Sequence, residues 1–336
     1  MTPRRTVLLA LLVAVAAALL PARAAAATVV RHGPIEIWTI HYRAHDGKRR
    51  NAYVVLPSWY GPHDHPRIPL VISPHGRGLN GRQNVPYWGE LPARGGFAVV
   101  SPDGEGRVFQ RYSWGAPGQI SDLARMPQIV SLDLPWLRID RKRVYAFGGS
   151  MGGQETLLLL ARHPRLLAGA AVFDAVSDFA LQYRSFPRLG CSPGCRKTWG
   201  GPIGPALQQL AREEIGGSPK AAPLAWKRRS PITYARAIAR SCVPLQLWWS
   251  GKDKIVRDQQ RQTERLYDAI RRLNPDAPVQ AFDGYWRHSA EMHATARLPV
   301  ALARFGLLPE SYARRTEAMH VEPPPQTAPW CGELEN

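Results

Sequence analysis

The segment from Val144 to Leu157 constrains the fold more than any other part of the chain. A β-branched and aromatic run passes through a glycine-rich turn into a leucine-rich helical pattern, with Ser150 at the apex of the turn. The order Gly148-Gly-Ser-Met-Gly152 matches the G-x-S-x-G nucleophile elbow, in which glycines flank the serine because strand and helix leave no room for side chains. The N-terminus of the following helix favours developing negative charge. The pattern predicts that Ser150 is a nucleophile.

Apolar runs alternate with helical patterns on both sides of this turn. Buried strands are predicted at residues 68–73, 96–101 and 166–173, and another strand is predicted at 243–250. Further strands are predicted at 35–42, 50–56 and 279–282. Helices are predicted at 122–137 (interrupted by Pro127 and Pro135), 205–215, 257–272 and 289–305. This alternation predicts the α/β class, with a mostly parallel central sheet and helices on both of its faces.

Residues 176–240 interrupt the alternation of strands and helices. They are rich in proline and contain a cysteine-bounded turn. We interpret this segment as a cap-like insertion that packs over Ser150; a stabilising excursion with no role in binding is the alternative. The insertion belongs to one domain at 28–312, which is followed by a proline-rich tail at 313–336.

The first 27 residues have the pattern of a secretory signal peptide. Arg4 and Arg5 precede an uncharged run at 7–20, and small residues follow as a cleavage site. Fourteen apolar residues are too few to span a bilayer comfortably, although an uncleaved anchor is the alternative. The arginine pair also resembles a twin-arginine export signal. The sequence therefore predicts a secreted protein with no stable membrane insertion after cleavage.

The cysteines agree with an oxidising compartment. The chain has four of them, an even number, at positions 191, 195, 242 and 331. We favour the pairs Cys191–Cys195, across a Ser-Pro-Gly turn, and Cys242–Cys331. A metal site is the alternative, but the chain has no C-x-x-C pair and no histidine cluster near the cysteines.

The chain is strongly basic, with a formal net charge of +18. Nucleic-acid binding is the first hypothesis that such a charge suggests. However, arginine far outnumbers lysine and the charges are scattered along the whole chain rather than gathered in a stripe. We therefore predict no nucleic-acid partner, and a basic surface that attracts anionic envelope polymers.

A serine nucleophile needs a histidine to accept its proton and a carboxylate to orient that histidine. In hydrolases with this elbow the chain order is serine, acid, histidine. Asp253 lies just beyond the strand at 243–250 and is the predicted acid. Asp174 and Asp178 follow the preceding strand and are rival acids, since some enzymes of this architecture place the acid one strand earlier.

Two histidines follow the last predicted strand. His288 lies on a loop at the start of the predicted helix, whereas His293 lies a turn and a half into it and would point sideways. His288 is therefore the predicted base. The predicted oxyanion hole consists of the backbone amides of Met151 and of Arg77, in the glycine-rich loop at 75–78. This chemistry requires no metal ion and no organic cofactor.

From about residue 50 to 309 the chain resembles the α/β-hydrolase superfamily. It is most similar to the branch that contains prolyl oligopeptidase-type catalytic domains, dienelactone hydrolases and secreted esterases. The resemblance rests on four segments: Pro-His-Gly-Arg-Gly (74–78), Gly-Gly-Ser-Met-Gly-Gly (148–153), Arg-Ser-Pro-Ile-Thr-Tyr-Ala (229–235) and Asp-Lys-Ile-Val (253–256). It implies a serine hydrolase with a Ser-Asp-His triad. The chain is too short for the N-terminal propeller of the prolyl oligopeptidase type, which weighs against a peptidase.

The function predicted from the sequence is thus a secreted serine hydrolase that cleaves carboxylic esters in small molecules or polymers. Two alternatives stay open. One is a peptidase with the same fold and triad, and the other is a non-catalytic protein of the same fold that binds envelope material.

Overall fold

The computed structural model describes residues 27–63, 66–105, 113–190, 203–313 and 320–321. The predicted signal peptide up to residue 26, the turn at 191–195 and most of the C-terminal tail lie outside this part. Of the four cysteines only Cys242 lies within it, so both disulfide pairs stay predictions, as do the domain boundaries. Within the described residues no helix is both long enough and apolar enough to cross a membrane.

A ten-stranded sheet forms the centre of the described structure. Its strands are β1 (Thr28–His32), β2 (Ile35–Arg43), β3 (Arg49–Pro57), β4 (Ile68–Ile72), β5 (Ala98–Pro102), β6 (Ile139–Gly149), β7 (Gly169–Phe173), β8 (Leu245–Ser250), β9 (Val279–Gly284) and β10 (His320–Val321). Their order across the sheet is β1-β2-β3-β5-β4-β6-β7-β8-β9-β10. The six strands from β5 to β9 in this order are parallel, and the outer strands pair antiparallel. The predicted mostly parallel sheet is confirmed.

Ten α-helices connect the described strands. They are α1 (Gly81–Asn84), α2 (Leu91–Gly95), α3 (Pro117–Asp133), α4 (Met151–Arg162), α5 (Phe179–Ser185), α6 (Gly204–Ile215), α7 (Pro223–Arg228), α8 (Ala235–Ala239), α9 (Thr263–Leu273) and α10 (Leu298–Arg304). Helices cover both faces of the sheet, because alternate residues of β6 enter two separate apolar clusters. Val144 and Ala146 pack with α3, α4 and α9 on one face, whereas Tyr145 and Phe147 pack with α2 and α10 on the other.

Helix α3 differs from its prediction because it continues through Pro127. Proline cannot donate the backbone hydrogen bond to the residue four positions earlier, which disfavours a helix interior. Here Leu123, Met126 and Val130, on the same side of the helix, are fully buried in the core. Their burial offsets the missing hydrogen bond, so the predicted interruption at Pro127 is wrong.

The last helix is much shorter than predicted. A helix was predicted over 289–305, but α10 contains only Leu298–Arg304. Ser289 has a left-handed backbone with φ of 53°, and the amide of Ala294 donates to the carbonyl of Tyr87 on a distant segment. These contacts hold the preceding residues in a series of turns. His288 therefore lies on a longer loop than the sequence suggested.

The first strand and the start of α9 also differ from the sequence prediction. No strand was predicted before residue 35, but residues 28–32 form β1, which pairs with β2 through a turn at Gly33 with φ of 57°. Helix α9 begins at Thr263 rather than at residue 257, because a left-handed residue, Asp258, and a short 3-10 turn precede it.

Candidate active site

The carboxyl ends of four neighbouring parallel strands meet at one edge of the sheet. Ser150 follows β6, Asp174 follows β7, Asp253 follows β8 and His288 follows β9. Open α/β sheets bind their ligands at this edge. The strand order therefore brings together residues that are far apart in the sequence.

Ser150 has the strained backbone of a nucleophile elbow. Its φ is 57° and its ψ is −122°, an unfavourable conformation for a residue with a Cβ. The serine is held there because its amide donates to the carbonyl of Phe173 at 2.9 Å. A Cβ on Gly148 would lie 2.3 Å from the carbonyl oxygen of Gly152, and one on Gly152 would lie 2.3 Å from that of Pro74. Glycine is required at both positions for the chain to approach itself this closely.

The predicted oxyanion-hole residues lie beside Ser150. Met151 is the first residue of α4, and the first amides of a helix have no acceptor within that helix. Arg77 lines the same cavity as Ser150, and the ideal Cβ position of Gly76 is 3.9 Å from the Ser150 Cβ. The loop is held by buried His75, whose ring nitrogens lie 2.9 Å from the Gly76 carbonyl oxygen and 2.8 Å from that of Asp103.

Asp253 and His288 are in direct contact. Asp253 Oδ2 lies 2.8 Å from His288 Nδ1, and the carboxylate side chain is 1% exposed while the imidazole is 18% exposed. Asp253 Oδ1 accepts from the amides of Ile255 and Val256, at 2.8 and 3.0 Å, and Oδ2 also accepts from Gln259 Nε2 at 3.1 Å. The carboxylate is thus fixed by its own turn, and Nε2 is the ring nitrogen of His288 that remains for proton transfer.

Asp174 is a second buried carboxylate, and it holds the loop that carries the histidine. Its Oδ2 accepts from the Ser289 amide at 2.7 Å and from Trp286 Nε1 at 3.0 Å, and its Oδ1 accepts from the Ser250 amide at 2.9 Å. Burial, together with the neighbouring Asp253 carboxylate, raises the pKa of Asp174 to about 7. This rival acid therefore contacts the residues on both sides of Arg287 and His288, while Asp253 contacts the imidazole itself.

A carboxylate oxygen of Asp174, a carboxylate oxygen of Asp253 and a ring nitrogen of His288 lie within 4.8 Å of one another. Atoms this close could in principle hold a metal ion. All four carboxylate oxygens already accept N–H groups. Hydrogen bonding therefore accounts for the cluster without a cation.

The other two candidates lie away from this cluster. Asp178 caps the N-terminus of α5, where its Oδ1 accepts from the amide of Leu181, and it forms an ion pair with Arg265. The ring of His293 packs edge-on against Tyr87 at 5.6 Å, and its Nδ1 lies 2.9 Å from Thr295 Oγ1. Neither side chain is oriented towards a partner in the predicted triad.

Ser150 and His288 line a common cavity of about 280 Å³. Gly76, Arg77, Tyr87, Ser289 and Met292 also line this cavity. A substrate carbonyl at the serine would therefore lie in a cavity that the histidine and the glycine-rich loop also line.

A second, narrow pocket of about 20 Å³ extends from Ser150 and Met151 beneath the predicted insertion. Phe179, Phe186 and Leu189 of that segment line the pocket. The ring of Phe179 is stacked on that of Trp114, which also lines the pocket, at 5.1 Å and on that of Trp226 at 4.8 Å. The described part of the insertion thus forms part of the wall beside Ser150.

Sequence reasoning did not identify the contacts of Asp174 with the histidine loop, nor the buried Glu155 on α4. Burial raises the pKa of Glu155 to about 8, and its carboxyl accepts a hydrogen bond from Ser113 Oγ. The only available signal was a carboxylate within the apolar turns of the elbow helix.

Comparisons with known proteins agree with the fold. No family model matches the chain. A bifunctional acetylxylan esterase/xylanase of Neocallimastix patriciarum is 31% identical over 132 residues, which are 39% of this chain and 18% of that protein. The chain thus spans less than a fifth of the length of this curated relative.

Solved structures superpose over most of the chain. The acylaminoacyl peptidase of Pyrococcus horikoshii has a TM-score of 0.59 and 16% identity, and the alignment covers 85% of this chain and 42% of that one. The S-formylglutathione hydrolase of Agrobacterium tumefaciens has a TM-score of 0.56 and 12% identity, with 79% and 92% covered. The fluorophosphonate-binding serine hydrolase FphF of Staphylococcus aureus has a TM-score of 0.52 and 18% identity, with 78% and 92% covered. Together with the strand order and the elbow, these similarities show that the chain has the α/β-hydrolase fold.

Proposed function

We propose that the protein is a serine hydrolase that cleaves carboxylic esters with small acyl groups, by a triad of Ser150, His288 and Asp253. One observation carries the proposal. A serine on a strained elbow shares a cavity with a histidine whose other ring nitrogen is 2.8 Å from a buried carboxylate. This is the arrangement that converts a hydroxyl into a nucleophile at neutral pH.

The reaction proceeds through an acyl-enzyme. Ser150 Oγ attacks the ester carbonyl carbon while His288 Nε2 accepts the serine proton. The oxyanion accepts hydrogen bonds from the amides of Met151 and Arg77. As the tetrahedral intermediate collapses, His288 returns the proton to the leaving alcohol. Water then attacks the acyl-serine, again with His288 as base, and the carboxylic acid is released.

Asp253 orients the base during both steps. Its Oδ2 accepts from Nδ1–H, which leaves Nε2 unprotonated and therefore able to accept a proton from Ser150. The buried carboxylate also stabilises the imidazolium that forms in each transition state.

The narrow pocket supports a small acyl group. The pocket borders Ser150 and both proposed oxyanion-hole residues, Met151 and Arg77, so an acyl group attached to Ser150 can extend into it. At about 20 Å³ this pocket is much smaller than the cavity of about 280 Å³ that Ser150 shares with His288, which favours a short acyl group such as acetyl over a long chain. An acetyl ester is also the kind of bond that the name of the acetylxylan esterase relative implies.

The test is hydrolysis of p-nitrophenyl acetate, butyrate, hexanoate and octanoate, alongside proline-linked peptide nitroanilides. We expect kcat/KM to be highest for acetate and to fall with each longer chain. Ser150→Ala should abolish ester turnover, with a loss on the order of 10⁴-fold or more. Cleavage of the peptides in preference to the esters would instead favour the peptidase alternative. A folded protein that turns over neither and does not react with a fluorophosphonate would overturn the enzyme proposal.

A further inference from the structure

A wide cleft of about 870 Å³ opens beside the histidine of the proposed triad. His288 and Asp253 line this cleft, whereas Ser150 and Met151 do not. In contrast, the narrow pocket is lined by Ser150 and Met151 but not by His288. Ile255 borders both spaces and the cavity between them. The cleft and the narrow pocket therefore flank the reacting serine on its histidine side and its oxyanion side.

The cleft is strongly cationic. Four basic side chains line it, and they are Lys252, Lys254, Arg257 and Arg287. Lys254 and Arg287 are exposed, and among the described residues neither forms an ion pair. Such unpaired charges remain available to a ligand.

The negative charge in the lining does not neutralise this surface. Asp253 is the one carboxylate among the lining residues that the structure describes, and its side chain is 1% exposed. Its oxygens accept from two backbone amides, a glutamine and the histidine. The potential in the cleft is therefore set by the lysines and arginines.

An exposed aromatic ring borders the same cleft. Tyr285 is 75% exposed, and the ammonium group of Lys252 lies 5.6 Å from the centre of its ring. An aromatic ring that bears a polar group and has a free apolar face can pack on a ring of a ligand while neighbouring cations contact its anionic groups. This combination suits a cyclic ligand that carries negative charge.

We propose that this cleft binds the alcohol portion of the substrate, and that this portion carries carboxylate or phosphate groups. The inference rests on the proposed ester hydrolase function. In that reaction His288 must donate a proton to the leaving oxygen, so the alcohol has to lie on the histidine side of the serine, where the cationic cleft is. The substrate class is therefore an ester of an anionic alcohol, such as an acetylated polymer of acidic sugars or of sugar phosphates.

The experiment compares acetate esters that differ in the charge of the leaving phenol. They are 4-acetoxybenzoate and 4-acetoxyphenyl phosphate as anions, methyl 4-acetoxybenzoate as the neutral ester and (4-acetoxyphenyl)trimethylammonium as the cation. Acetate release gives kcat/KM for each, corrected by its rate of alkaline hydrolysis. We expect both anions to be preferred over the neutral ester and the cation to be disfavoured. The preference should shrink as salt screens the charges. Comparison of the two anions distinguishes carboxylate from phosphate as the favoured group.

The readout is the ratio of kcat/KM for an anionic ester to that for the neutral ester, measured in the same variant. In the double variant Lys254→Glu, Arg287→Glu this ratio should fall about tenfold at low salt, because two attractions become repulsions. The control is Lys142→Glu, Arg272→Glu, which makes the same change in net charge. Lys142 lies near the start of β6 and Arg272 near the end of α9, at the opposite edge of the sheet, so the control should keep the wild-type ratio.

The outcomes separate the two proposals. If wild type hydrolyses none of the four esters, the proposed function is wrong. If it hydrolyses them with a ratio that the cleft variant leaves unchanged, or that the control changes equally, the function stands and the anionic subsite is refuted. The same comparison with an acetylated uronic-acid polysaccharide, before and after chemical reduction of its carboxyl groups, extends the test to a polymer. Faster deacetylation of the carboxylated form, lost in the cleft variant alone, would support the proposal.

Discussion

The two buried carboxylates near His288 should differ strongly in how much kcat falls when each aspartate is replaced by asparagine. In Asp253→Asn, the asparagine oxygen would keep the amides of Ile255 and Val256, because both donate to Oδ1 at 2.8 and 3.0 Å. The new amide nitrogen would then occupy the position of Oδ2, where it faces His288 Nδ1. Two N–H groups cannot bond to one another, so the imidazole must place its proton on Nε2. That tautomer cannot accept the proton of Ser150.

The expected loss in kcat for Asp253→Asn is therefore on the order of 10⁴-fold, the size seen when an asparagine imposes the wrong tautomer in a serine-hydrolase triad. This corresponds to about 5.5 kcal/mol of transition-state stabilisation. Gln259 Nε2 also loses its acceptor in this variant. The free energy of unfolding should therefore fall by about 1–3 kcal/mol, the cost of one unsatisfied buried group.

Asp174→Asn should have a much smaller effect on the chemistry. The asparagine oxygen can keep Trp286 Nε1 and the Ser289 amide, both of which donate to Oδ2. Only the bond from the Ser250 amide is lost, and the imidazole keeps its own partner. We expect kcat to fall tenfold or less, with a destabilisation of about 1–3 kcal/mol.

The assay is kcat for p-nitrophenyl acetate at saturating substrate, together with urea unfolding to establish that each variant is folded at the assay temperature. We expect kcat to fall far more in Asp253→Asn than in Asp174→Asn. The reverse order, with both variants folded, would make Asp174 the triad acid and refute the assignment.

Three other substitutions test separate parts of the account. Burial raises the pKa of Glu155 to about 8, so the stability that its protonated form contributes is complete below about pH 4.5 and is lost as the pH rises towards 8. In urea unfolding, the free energy of unfolding should therefore decline less over this range in Glu155→Gln than in wild type. Equal declines in the two proteins would show that Glu155 does not cause this pH dependence. Gly152→Ala places a Cβ 2.3 Å from the Pro74 carbonyl oxygen, so the free energy of unfolding should fall by about 1–3 kcal/mol and kcat by more than about tenfold. The control is Gly61→Ala, where nothing lies within 4 Å of the added Cβ, and it should change neither quantity. Leu189→Ala widens the narrow pocket, so the ratio of kcat/KM for hexanoate to that for acetate should rise about tenfold; an unchanged ratio would show that this pocket does not hold the acyl group.

Local sequence patterns were sufficient for the central part of the fold. The buried apolar strands and the Gly-x-Ser-x-Gly turn depend on neighbouring residues, and the mostly parallel sheet follows from their alternation with helices. The known chain order of such sites then led to Asp253 and His288, which the structure places in contact. Their catalytic roles remain predictions.

Features that depend on distant contacts could not be obtained in this way. Asp174 holds Trp286 and Ser289 across 112 and 115 residues of sequence, and no local pattern encodes such a pairing. The predicted helix at 289–305 was too long because its first half is held in turns by long-range contacts, including the bond from Ala294 to Tyr87. Similarly, α3 continues through Pro127 because tertiary burial outweighs a local preference.

The proposed mechanism requires that Ser150 becomes acylated during ester hydrolysis. The most direct measurement is rapid acid quench of the enzyme with p-nitrophenyl acetate, followed by intact-protein and peptide mass spectrometry, on wild type and on Ser150→Ala. We expect one acetyl group per wild-type molecule, located on the peptide that contains Ser150, and none at that peptide in the variant. Turnover without acetylation of Ser150 would contradict the proposed role of this serine. The same would follow if Ser150→Ala carried as much acetyl adduct as wild type and hydrolysed the ester at the same rate.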